Sequence, residues 1–541
     1  MVGLRVKDKQ ILICPICREK GDSFGMYEHK KATGQGEEGL SALITQYQTP
    51  DNLSLTQDLP SETLLLTEKT AVTLSNIEMS AKLFFVLLEK TKITIGERFS
   101  IAWYVDSKDC IRDHGMAREM PFYLSGGVVS RLALENIERM PPSSIGCSLK
   151  EIYLDRNGII NILPKLRIHE DSEVELLDLH TDKKEHIAEI LSQEQLFFVG
   201  RVKKVILGGY AVSVLTKLGI HEDNDVEFLW LHSTEKERVA EILAQDQLLC
   251  VGRAKKMEFR DYAVFVFLKI KEVGEGPEGL VLSIGGDELW RKIHEELKKK
   301  NTAICIEEVE NLFLEKYAVN ILPALKTKRE IGIFVLGASN EDQISEILSE
   351  EYKGISFGGI KKFLLFGSPV NLLPKMRIGE DCEVEVYGLI AEEERQVSKI
   401  LEKENGSIAT GRVKSMKLVG YAVCVIPKLR IPSDNTMEKF VLSGDEWHFP
   451  RILGEGDSSI EVGRIKLFGF DVPEEIRRKL RYTLLFGERN DVLEERSVEA
   501  TAAGDGEVGE VIEREASEVV DGEGSEVLKE GSSSQRGNNL D

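Results

Sequence analysis

Long apolar stretches are missing from this chain. A helix needs about 18 consecutive apolar residues to cross a bilayer, and no such run occurs, so no membrane-spanning helix is expected. The N-terminus carries no apolar run of signal-peptide length, which predicts a cytoplasmic protein in a reducing compartment. The eight cysteines include Cys250, Cys305, Cys382 and Cys424, each placed singly in or beside an expected strand, as buried free thiols are. No Gly-rich phosphate loop, H-E-x-x-H helix or G-x-S-x-G elbow is present, and the sequence reads as non-enzymatic. His169 and His221 share a repeat position before Glu-Asp pairs, but Gly379 and Pro432 replace them in other copies, which argues against an acid/base role.

An excess of positive charge is also lacking. The formal net charge is −22, and residues Glu488 to Asp541 supply half of it, with 16 acidic and 5 basic residues. The rest of the chain is only mildly acidic. A nucleic-acid partner would therefore need a local basic patch.

What the chain has is a repeat. Tyr-Ala-Val begins at Tyr210, Tyr262, Tyr317 and Tyr421, and Gly158 and Ser368 fill the same slot in two further copies. Successive slots are 52, 52, 55, 51 and 53 residues apart. A fixed period of this kind predicts a tandem array, here about six units over residues 151–486. Within a unit, the β-branched alternation of Tyr-Ala-Val-x-Val predicts a strand, paired as a hairpin with the preceding Arg-Val-Lys-Lys-Val through Gly208-Gly209 or Gly420. A second strand is expected at Val226–Leu231 and at Val384–Leu389. A helix with one buried stripe follows, at Ile187, Ile190 and Leu191, or Val239, Ile242 and Leu243, with Thr181, Ser233 and Ser339 at N-cap positions. A short linking strand such as Leu196–Val199 closes the unit. The fold class is thus α+β, a β-rich tandem β-β-β-α array. Its sixth helix carries Pro450, expected to shorten or kink it.

Residues 1–35 form a candidate zinc knuckle. Cys14-Pro-Ile-Cys17 has the spacing of two thiolates on one tetrahedral zinc, with His29 as a third ligand, and Cys110 and His114 stand further along the chain. Residues 36–60 read as a linker, 61–145 as a small α+β domain, and 487–541, low in complexity and free of aromatics, as a disordered acidic tail.

The unit resembles the AbrB/SpoVT swapped-hairpin module. The resemblance rests on Thr410-Gly-Arg-Val-Lys, Gly420, Val425-Ile-Pro-Lys-Leu-Arg-Ile, the Lys217-Leu-Gly-Ile segment and Val472-Pro-Glu-Glu-Ile-Arg-Arg-Lys-Leu480. It implies a β-barrel of intertwined hairpins and DNA binding through basic residues; Lys203, Lys217, Lys414, Lys428, Arg430, Arg477 and Arg478 match basic positions. The chain departs from the pattern where tyrosine stands for the arginine after the turn glycine, and where a full amphipathic helix is added.

The recurring Gly-Arg-x-Lys stretches are the main functional candidates. Arg201, Lys203, Lys204, Arg253, Lys255, Lys256, Arg412, Lys414, Arg464 and Lys466, with Lys428 and Arg430, would line one side of an array and track a phosphate backbone, with the tyrosines stacking on bases. The competing expectation is a solvated face, neutralised by glutamates such as Glu185, Glu189, Glu235, Glu237 and Glu241. Two functions follow: a nucleic-acid-associated or regulatory protein, or a protein–protein scaffold without nucleic-acid binding.

Overall fold

The computed structural model describes residues 50–496 apart from 56–63, 103–110, 115–120, 127–129, 156–157, 170, 272–275, 301–303, 306–308, 327–329, 350–354, 357–358 and 487–490, together with short strands at Val2–Leu4, Val6–Lys7 and Gln10–Ile11.

The strands of the repeat region carry apolar residues at V-x-x-L-x-L spacing: Val174, Leu177 and Leu179; Val202, Val205 and Leu207; Val226, Leu229 and Leu231. All nine are fully buried. A strand buried by one face in this way must stack on its neighbours, and the neighbours here are the successive strands of the chain. They form one 14-stranded sheet: β1 (Phe122–Gly126), β2 (Leu149–Asp155), β3 (Glu173–Thr181), β4 (Arg201–Gly209), β5 (Asp225–Ser233), β6 (Arg253–Asp261) and β7 (Gly279–Ile284). It continues through β8 (Asn311–Lys316), β9 (Ile331–Ala338), β10 (Ile360–Gly367), β11 (Glu383–Ala391), β12 (Arg412–Gly420), β13 (Lys439–Ser443) and β14 (Phe470–Asp471). Every pairing is parallel and follows chain order, so each strand is one winding of the backbone.

The winding is shorter than the sequence period. Strands β3 to β6 open at Glu173, Arg201, Asp225 and Arg253, steps of 28, 24 and 28 residues, so two windings span 52. The connections differ in kind. After β4 the chain enters a buried 3₁₀ helix, Tyr210–Thr216; after β5 it forms a 3₁₀ turn and a short α-helix, Lys236–Arg238 and Ala240–Leu243. Small parallel pairings recur behind the sheet, as Phe197 with Leu218, Leu249 with Ile270, and Ile408–Ala409 with Leu429–Arg430.

The expected hairpin is absent among the described residues. Tyr-Ala-Val is not a strand, and β4 pairs in parallel with β3 and β5. Among the described residues the large sheet is open, its strand order ending at β1 and β14, and no closed barrel of the kind implied by the AbrB/SpoVT resemblance is seen there. The apolar run Ala211, Val212, Ser213, Val214 is buried at every position, so its β-branched content serves a core turn. The break comes at the last strand residue. Gly209, Gly367 and Gly420 have φ of +63°, +73° and +65°, and a Cβ there would meet a carbonyl of the preceding winding at 2.2 to 2.3 Å.

The expected helix stripe is present in broken form. Ile187 and Ile190, Val239 and Ile242, and Val397 and Ile400 are all buried, but each pair spans a 3₁₀ turn and an α turn. The N-cap falls on Asn340 in place of Ser339, with Gln343 completing a capping box. Pro450 does not kink its helix; it occupies the first turn of Pro450–Leu453, where no N–H is needed.

The segment 61–145 supplies β1, the first strand of the sheet. It also holds helices Ala81–Lys90 and Arg131–Arg139, joined through buried Asn136, whose Oδ1 accepts from Ile93 N (3.0 Å) while Nδ2 donates to Leu88 O (2.8 Å) and Thr91 O (2.7 Å). One continuous core runs from Leu55 to Leu484. The expected tail starts too early: Asp491–Arg496 is a strand, antiparallel to Leu480–Phe486. Residues 497–541 lie outside the described residues.

Candidate binding face

Parallel register places equivalent residues of successive strands side by side, so the sheet face opposite the core is built of rows. The middle row runs Tyr153, Asp178, Ile206, Trp230, Glu258 and Val281, then Phe313, Val335, Leu364, Gly388 and Lys417. The next row, two residues on, passes through Asp155, His180, His232, Arg260 and Glu315, then Phe366, Ile390 and Val419. Most of these side chains are half-buried; the core rows on either side of each are fully buried.

The face divides by chemistry. From β2 to β8 it is polar and aromatic. Trp230 Nε1 donates to Glu258 Oε1 (3.0 Å), and Arg260 forms an ion pair with the same carboxylate. His232 Nε2 lies 3.0 Å from Asp261 Oδ2, and Gly285 N donates to Asp261 Oδ1 (2.8 Å). Burial raises the pKa of Glu315, opposed by the Arg260 guanidinium and reinforced by Glu258. Burial, with Asp155 beside it, pushes Asp178 up to about 6. From β9 to β12 the face is largely apolar, with Ile333, Val335, Leu364 and Phe366, then Val386, Ile390 and Val419, interrupted by Lys362 between Ile333 and Val386 and by Lys417 on β12.

The basic residues expected to form a stripe are placed at the other rim, where each strand begins. Gly200, Gly252, Gly411 and Gly463 precede them with φ between +69° and +88°, which explains the glycine of Gly-Arg-x-Lys. The arginines face acids. Arg201 pairs with Asp223 (3.3 Å), Arg253 with Asp225 (2.9 Å), Arg412 with Asp434 (2.7 Å), Arg430 with Glu380 (2.8 Å), Lys203 with Glu173 (3.2 Å) and Lys466 with Glu438 (3.1 Å). In register, Glu173 lies beside Arg201, Asp225 beside Arg253 and Glu383 beside Arg412, so the sign alternates from winding to winding. Lys204, Lys255, Lys256 and Lys414 are exposed along the same strands, and Arg464 is exposed on Ile460–Lys466, a strand of a separate four-stranded sheet.

Two further basic positions have structural roles. Lys217 Nζ donates to Gln193 O (2.5 Å), at the end of the preceding helix, as Lys269 does to Gln245 O (2.6 Å) and Lys375 to Ile347 O (2.6 Å). A cation there offsets the unpaired carbonyls of a helix C-terminus. Lys428 donates to Asn405 Oδ1 (2.8 Å). The tyrosines are engaged too: Arg238 lies 5.6 Å over the Tyr210 ring, Tyr421 meets the edge of His448 (4.6 Å) and Tyr262 is buried. His169 and His221 are exposed in turns, with His221 stacked on Phe198 (5.1 Å).

Cys14, Cys17 and His29 lie outside the described residues, as does Cys110. Among the described residues, no group of three or more His, Cys, Asp or Glu side chains is placed to hold a metal ion, and no helix is long and apolar enough to cross a membrane. The apolar outward rows were missed by sequence reasoning, although the uninterrupted Phe363-Leu-Leu-Phe366 run is a signal for them. No family model matches the chain, and no curated protein or solved structure matches it.

Proposed function

We propose that this chain is a non-enzymatic binding protein that holds a polypeptide partner against the open face of its parallel sheet. The observation that carries this reading is the composition of β9 to β12. Strands of a parallel sheet covered on both faces read as continuous apolar runs, and Ile331–Ala338 reads that way throughout, while Ile360–Gly367 and Glu383–Ala391 do so after charged openings at Lys361, Lys362, Glu383 and Glu385. Their outward side chains, Val335, Leu364, Phe366 and Ile390 among them, are nevertheless only partly buried. Adjacent apolar side chains left partly open on one face are a feature of interaction sites. Stacked windings suit such a role, because they multiply one strand into a long, regular surface.

A nucleic-acid role through AbrB-like modules is the weaker reading. Phosphate binding draws on unpaired cations, and six of the candidate basic residues face a carboxylate within 3.3 Å.

Selection of peptides on the full chain from a random displayed library tests the proposal. Selected peptides should lose at least tenfold in affinity for the doubly substituted Val335→Thr/Leu364→Gln chain. Peptides that bind both chains equally would remove the face from the explanation.

A further inference from the structure

Resting on that reading, we infer that the polypeptide held on the open face is a second copy of this chain, stacked face to face about a two-fold axis parallel to the strands. Full overlap of β2 to β13 sets the axis between β7 and β8. Strand β3 of one copy then lies over β12 of the other, β5 over β10 and β6 over β9. Each outward row lies over the same row of the second copy.

Charge selects this arrangement. Besides the middle row and the row two residues on, a third outward row lies nearer the strand starts and holds Glu151, Lys204 and Lys256, then Lys362 and Lys439. Over β2 to β8 the three rows carry five carboxylates, Glu151, Asp155, Asp178, Glu258 and Glu315, against three cations, Lys204, Lys256 and Arg260. Over β9 to β14 they carry three lysines, Lys362, Lys417 and Lys439, against one carboxylate, Asp471. The two halves of the face are thus opposite in sign. An axis along the strands brings unlike halves together: Asp178 faces Lys417 of the second copy, and Glu151 faces its Lys439. An axis across the strands would lay every strand over itself. Asp178 would meet Asp178, Lys417 would meet Lys417 and Glu151 would meet Asp155, and like charges set face to face cost affinity.

Among the described residues, neither Asp178 nor Lys417 has an ion-pair partner within its own chain. In the single chain, burial with Asp155 beside it pushes Asp178 up to about 6. An ammonium group opposite removes that cost, so any stability gained on Asp178→Asn belongs to the dilute, monomeric chain.

Shape and area agree. Gly337 on β9 has nothing within 4 Å of where a Cβ would stand, which leaves room for Arg260 on the opposing β6. Glu258, opposite Val335, brings its own partners, Trp230 and Arg260. Trp230 lies over Leu364, and Val281 over Phe313. At the usual strand spacing, β2 to β13 with three rows make a face of about 50 by 13 Å, roughly 650 Å² per copy, within the range of about 600–1,000 Å² per partner of stable interfaces.

Sedimentation equilibrium of the full chain, at up to about 100 µM, tests the inference. The parent chain should be a dimer. Val335→Thr/Leu364→Gln, Asp178→Lys and Lys417→Glu should each weaken it at least tenfold. The double variant Asp178→Lys/Lys417→Glu should dimerise within about threefold of the parent, and an equimolar mixture of the two single variants should form a heterodimer, because both pairs are restored in each case. Should Asp178→Lys fail to fold, Glu151→Lys and Lys439→Glu pose the same question at the other pair. A parent chain that stays monomeric overturns the inference; selected peptides that still need Val335 and Leu364 would leave the proposed function standing. A dimer indifferent to the single charge reversals, or not restored by the swap, also overturns the inference, whatever Val335→Thr/Leu364→Gln does to it. If selected peptides ignore Val335→Thr/Leu364→Gln as well, the proposed function falls with it.

Discussion

Arg412 Nη2 lies 2.7 Å from Asp434 Oδ2, one winding further along the sheet. The same relation joins Arg201 to Asp223. The Gly-Arg element that marks the repeat is therefore half of an exposed ion-pair ladder, and its arginines are neutralised in place. Arg412→Ala should leave the melting temperature within error, as removal of an exposed pair does. It should also leave any salt-sensitive association with duplex DNA unchanged, measured by electrophoretic shift at low and moderate salt. A marked loss of DNA binding in this variant would return the basic rim to a functional role.

Gly420 tests the junction between strand and 3₁₀ helix. Its φ is +65°, and an added Cβ would meet Ala391 O at 2.3 Å. Gly420→Ala should cost about 2–4 kcal/mol, combining strain with a steric clash. Gly406 has a similar φ of +67° but open space around it, so Gly406→Ala should cost only about 1 kcal/mol. Urea denaturation of both variants separates the clash from the conformational term; equal costs would mean that the neighbouring winding yields.

Asp178 links the open face to pH. Tyr153 and Asp155 on β2, His180 on its own strand and Ile206 on β4 surround it. Its folded pKa, about 6, lies above the unfolded value, so the native state holds the proton more tightly. The resulting stability is complete below about pH 4 and is lost as pH rises through about 6. Asp178→Asn should therefore melt higher than the parent chain at pH 7, by about 1–2 kcal/mol after allowance for solvent screening, and match it at pH 4. Parallel pH–stability curves for the two chains would place the carboxylate in water.

Cys14 and Cys17 have the spacing of a zinc knuckle, with His29 following. Purified without chelator, the chain should carry about one zinc, lost in Cys14→Ser/Cys17→Ser. Elemental analysis checks this, and metal-free parent protein would exclude the site.

The period was legible because sterically demanding positions recur: the slot of Tyr210, Tyr317 and Tyr421 follows a positive-φ residue each time. Ile187 with Ile190 and Val397 with Ile400 were legible as a helical stripe because burial alone produces that spacing. Strand partners were not. Arg201–Gly209 carries no local mark of whether it pairs with the segment after it or with a strand 28 residues earlier, and Gly209 suits a hairpin turn as well as a strand exit. Two windings per period could have been read from Val174, Leu177 and Leu179 set against Val202, Val205 and Leu207, which share one spacing. Leu364 and Phe366 were indistinguishable from core residues, because an apolar outward row differs from a buried one only in what lies opposite it.

Photo-crosslinking locates the partner most directly. A benzophenone side chain placed at Leu364 on the outward face, and in a second chain at exposed Lys403 beyond helix Ser398–Leu401, reports which surface a library-selected peptide touches. Crosslinks from position 364 and none from 403 are predicted. Crosslinks from 403 with none from 364 would contradict a polypeptide-binding role for the open face of the sheet.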